Sequence, residues 1–162
     1  MNIQLHHRTD AEVLASDGPV IYRVINGAPT GVEDALRTFE IIDRALERYA
    51  VAGLMVAVEH GSPFPTTEAR RWLSENMPRY GDRLVTGYAL TGLGFWASSA
   101  RLITVSIAKL GRITAIIESS VDAIAERMAL EVVGLDPRQL VSRVDELQGM
   151  LGQGDTMRAA TG

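Results

Sequence analysis

Residues 51–73, VAGLMVAVEHGSPFPTTEARRWL, decide the fold. The run Leu54-Met55-Val56-Ala57-Val58 is short and continuously apolar, the pattern of a strand covered on both faces in a parallel or mixed sheet. It stops at Glu59-His60-Gly61-Ser62-Pro63-Phe64-Pro65, and Thr66 or Thr67 then opens a helix through Glu68, Ala69, Trp72 and Leu73. A strand, a sharp break and a helix make half of a βαβ unit. The break falls at the carboxyl end of the strand, where open α/β sheets place ligands and partners.

Working outward, Val20 to Ile25 reads as a β-branched strand, preceded by a weak edge strand or strand pair over residues 2 to 17. Thr30 followed by Glu33 predicts a capped helix with Ala35, Leu36, Phe39, Ile42, Leu46 and Tyr49 as its core stripe. Arg83 to Thr91 gives the next strand, Phe95 to Leu110 a third helix closing at Gly111, and Ile113 to Ile117 the last strand. Ser119 opens a fourth helix, and Asp136-Pro137 opens a fifth. This alternation implies parallel crossovers. The fold expected is α/β: a small mixed, mostly parallel sheet of four to five strands, with helices packed mainly on one face, over residues 1–134. An appended amphipathic helix follows over 135–151, and a flexible tail over 152–162.

A chain of 162 residues is long enough for one domain with its own core. There is no cysteine, which removes disulfides, thiolate metal sites and cysteine nucleophiles, and fits a cytoplasmic setting. No apolar run reaches the ~20 residues of a membrane span. A net charge of -4, with both signs interspersed and Lys109 the sole lysine, argues against nucleic acid as a partner.

No catalytic set, metal site or cofactor motif assembles. Glu59 and His60 are adjacent on an extended chain and so point to opposite sides. His6 and His7 lack a third ligand, Ser98-Ser99 and Ser119-Ser120 lack a nucleophile-elbow frame, and Gly92-Leu93-Gly94 lacks the third glycine of a dinucleotide fingerprint. The third helix is more informative. Trp96, Ala100, Ile103, Ile107 and Leu110 form its core stripe, while Phe95, Leu102 and Val105 lie off it, as cover for a neighbouring element or as a partner surface. Leu140, Val144, Leu147 and Leu151 make a narrow seam on the fifth helix that either folds back or pairs with a second copy.

The segments PVIYRVINGAPT, GLMVAVEHG, TTEARRWL, RLVTGYALTG and ITAIIESSVDAIAERM, read in this order, resemble the STAS-like domains, whose best-studied members are bacterial anti-sigma-factor antagonists. The resemblance covers residues 1 to 134 by order and local texture. It implies a small sheet with helices mainly on one side and a non-enzymatic role in signalling or binding. Phosphorylated members carry an Asp-Ser-Ser-Gly-like segment at the helix start after the central strand. This chain has no such segment; Ser62, Thr66 and Thr67 stand nearest as candidate switch residues, with turn formation and capping as their simpler roles. The function expected is a regulatory or protein-interaction module, homo-oligomeric or bound to a partner protein. The alternative is a small-molecule or lipid-binding domain with a pocket near the third helix.

Overall fold

The computed structural model describes residues 2–152, and the tail expected beyond lies outside them from residue 153. Three strands, β1 (Gln4–Arg8), β2 (Glu12–Asp17) and β3 (Val20–Ile25), form an antiparallel meander. From β3 the chain runs through α1 (Val32–Leu46), β4 (Ala52–Glu59), α2 (Thr67–Asn76), β5 (Leu84–Thr91), α3 (Gly94–Leu110) and β6 (Ala115–Glu118), each strand pairing parallel with the one before. The result is one six-stranded sheet in the order β1-β2-β3-β4-β5-β6. It is an α/β fold on a mixed, mostly parallel sheet, one strand larger than the sequence suggests because residues 2 to 17 supply a pair of strands.

Crossovers of one hand between strands that are neighbours in chain order all place their helices on the same face. Accordingly α1, α2 and α3 share one side, where Phe39, Ile42, Trp72 and Ile107 meet Ile21, Leu54 and Val56 of the sheet. The chain then changes sides. α4 (Val121–Glu131) and α5 (Pro137–Gln148) cover the other face, where Ile124, Met128, Leu140 and Leu147 meet Tyr22, Met55 and Ala57. Alternate residues of β4 therefore enter two different cores, which is why its sequence shows an unbroken apolar run instead of a period of two. α4 lies so close to the sheet that a Cβ on Gly87 would stand 2.7 Å from both Ile124 Cγ2 and Met128 Sδ.

Local signals set most boundaries, and where they fail another hydrogen bond has taken the residue. Thr66 Oγ1 accepts from Ala69 N–H and caps α2, and Asp136 Oδ1 accepts from Arg138 N–H and caps α5. α1 differs: its N-cap is Gly31, whose N–H donates to Asp34 Oδ2, while the Thr30 hydroxyl is engaged by Arg23. The last strand starts late because Ile113 N–H donates to Ala108 O, closing α3 instead of pairing in the sheet. Ser120, one residue after the expected Ser119, caps α4 through Ala123 N–H. Among the described residues no helix is long and apolar enough to cross a membrane.

Candidate functional site

Between the sheet and its three crossover helices lies a cavity of about 110 Å³. Its floor is the carboxyl half of β3, β4 and β5, through Arg23, Val56, Val58 and Tyr88, and its far wall is α3, through Trp96, Ala100 and Ile103. One water needs ~10–15 Å³ of such volume, and an apolar cavity of ~150 Å³ in another protein takes benzene, so the space suits a small organic molecule.

One charged side chain lines this cavity, Arg23. It interrupts β3 in the middle of VIYRVI, and being odd-numbered like Ile21 and Ile25 it faces the same core as they do. Glu12 reaches it diagonally from β2: Arg23 Nε and Nη2 donate to Glu12 Oε2 at 3.0 and 2.7 Å, while Nη1 donates to Thr30 Oγ1 at 2.8 Å. Both members are buried, Arg23 at 7% and Glu12 at 4% exposure. His7 Nε2 lies 3.5 Å from the other carboxylate oxygen. Tyr88 lines the floor, and burial, the largest influence on its phenol, pushes the pKa up to about 12, so the hydroxyl stays protonated at neutral pH.

The roof is the proline-bracketed segment after β4, held at three points. Gly27 N–H donates to Ser62 Oγ at 3.0 Å, Trp96 Nε1–H donates to Ser62 O at 2.9 Å, and Thr66 N–H donates to Thr30 O at 3.0 Å. Phe64 stacks on Trp96 at 6.4 Å between centroids, and His60 tilts against the same indole at 5.2 Å. Gly92 leaves room for this arrangement, since a Cβ there would collide with the His60 ring and with Trp96. The stretch that opens the sequence argument is thus the cover of the cavity.

The candidate residues named from sequence scatter. Ser62 is buried, with its hydroxyl turned to Gly27; Thr66 is the cap of α2; Thr67 is exposed and accepts from Arg70 Nη2. Phe95 and Leu102 are exposed at 88% and 68%, Val105 is half-buried, and Leu110, expected in the core stripe, is instead exposed at 70% where it borders an open groove between α2 and α3. Leu140, Val144 and Leu147 are buried against the sheet of their own chain, and Leu151 is partly buried beside them. Glu59 and His60 diverge as adjacent strand residues must: Glu59 accepts from Thr91 Oγ1 and Gln148 Nε2, while His60 turns to Trp96.

Sequence reasoning did not single out Arg23 or Glu12. The available signal was an arginine inside an otherwise apolar β-branched strand, a placement that demands a buried partner. Comparison of the chain with protein-family models, with curated proteins and with solved structures gives no match.

Proposed function

We propose that this chain is a non-enzymatic binding module that takes a small, mostly apolar molecule into the cavity beneath α3. The observation that carries the reading is the cavity itself: apolar over most of its wall, placed at the carboxyl ends of parallel strands, and furnished with a few convergent polar groups around Arg23. The STAS-like resemblance supports a binding role over a catalytic one. The expected result of native mass spectrometry on protein purified from its own host is a retained non-protein mass. It should be lost in Ala100→Leu, which fills the cavity from α3, with the circular dichroism spectrum unchanged. A bare protein mass, together with no effect of Ala100→Leu on the uptake of small apolar probes, overturns the reading.

A second reading, a homo-oligomeric or partner-binding surface, is favoured by Phe95 and Leu102, which α3 leaves exposed along with Leu110. Light scattering at high micromolar concentration is then expected to show a defined oligomer that Phe95→Glu with Leu102→Glu dissociates; a wild-type monomer sinks it.

A further inference from the structure

We propose that the molecule the cavity takes is uncharged and carries a single carbonyl-type acceptor, held by Arg23, Thr30 and Ser62. This rests on the binding reading above and narrows it to a ligand class.

Arg23 has five N–H groups and its bonds to Glu12 and Thr30 use three, which leaves two. Thr30 Oγ1 accepts from Arg23, and Ser62 Oγ accepts from Gly27 N–H; neither hydroxyl has an acceptor for its own proton among the described residues. All three side chains line the same cavity, with exposures of 7%, 6% and 2%. Buried donors are ordinarily satisfied, and leaving one unmade is costly. Of the other hydroxyls on the wall, Thr38 and Thr104 are already spent inside their helices, on Asp34 O and Ala100 O, and the protonated phenol of Tyr88 on the floor is a further donor. The unspent hydrogen-bonding capacity is therefore donor-rich and concentrated at the Arg23 end, so its complement is an acceptor.

Charge narrows the class further. Glu12 already neutralises Arg23, and the cavity lining holds no second cation. A carboxylate ligand would place an uncompensated negative charge beside Glu12 in a dry site, and an ammonium would turn donors toward donors. A ketone, ester or amide carbonyl meets both conditions. Size narrows it again. About 110 Å³ admits a compact body of ring dimensions.

Four probes sharing one ring separate these terms: cyclohexanone, cyclohexane, cyclohexylamine and cyclohexanecarboxylate, titrated at neutral pH into ¹⁵N-labelled full-length protein. Amide shifts are expected to centre on Ser62 and Trp96, with cyclohexanone binding at least fivefold tighter than each of the others. Thr30→Val combined with Ser62→Ala should remove that advantage while leaving cyclohexane affinity unchanged. If the double variant fails to fold, the wild-type ranking alone decides. Equal affinities for cyclohexanone and cyclohexane, or carboxylate as the tightest probe, overturn the inference while sparing the cavity as a binding site. Binding by none of the four also overturns it, and the native-mass experiment then decides the broader reading independently.

Discussion

Replacing Arg23 by methionine is expected to cost about 3–5 kcal/mol of folding stability. The reason is the state in which Glu12 is left. Its Oε2 accepts two N–H bonds from Arg23, and the carboxylate is only 4% exposed, so removal of the guanidinium strands a negative charge in a dry core. For a domain of 162 residues that loss corresponds to a drop of roughly 10 °C in melting temperature. The decisive comparison is the double replacement Glu12→Met with Arg23→Met, which removes both charges and fills their volume with methylenes. It should recover most of the stability, because an ion pair buried at this depth roughly balances its own desolvation. Urea unfolding of the two single variants and the double variant measures the cycle. A double variant as unstable as Arg23→Met would mean that the pair is not a mutually compensated unit. A stable double variant that no longer prefers cyclohexanone over cyclohexane would show that the pair, neutral in net folding terms, supplies the donors proposed for binding.

Leu147→Ala is expected to cost about 2–5 kcal/mol, against no more than ~0.5 kcal/mol for Leu102→Ala. Leu147 is fully buried in the core under β3 and β4, packed with Leu140 and Val144 from the same helix, whereas Leu102 is 68% exposed on α3. The contrast separates two apolar seams that look alike in sequence. It also bears on whether α5 belongs to its own chain: a helix exchanged between copies would make the loss depend on protein concentration, and a helix packed at home would not. Denaturation at two concentrations tenfold apart, with coincident midpoints for both wild type and Leu147→Ala, is the result expected here. α5 is also anchored at home by Arg143, whose Nε donates to the buried Asp17 Oδ2 at 2.8 Å.

Much of the architecture was legible because local chemistry and tertiary structure agree. Thr66 and Asp136 are good helix starts wherever they occur, and here each caps the helix it announces. The apolar run of β4 required cover on both faces, and α4 and α5 supply the second cover. Three of the five helices do lie on one face. Where the reading failed, a competing hydrogen bond had taken the group. Thr30 has the spacing of a capping residue but serves Arg23, and Ile113 has the texture of a strand but closes α3. Leu110 continues the helical stripe of α3 but borders an open groove beside α2.

The candidate site was half legible. The break after β4 was marked as the first place to look, and it roofs the cavity through Ser62, Phe64 and its contact with Trp96. What its residues do there differs from what their identities suggested: Ser62 is turned inward, and His60 packs against an indole. By itself the sequence determined the succession of strands and helices, the doubly covered central strand and the polar break at its end, because propensity, capping and apolar period act over a few residues. Only the tertiary structure decided that Glu12 meets Arg23, that α5 folds under its own sheet and that a space is left beneath α3. Those facts depend on which side of the sheet each crossover passes and how closely helices settle on it, and neither is written in any short stretch of chain.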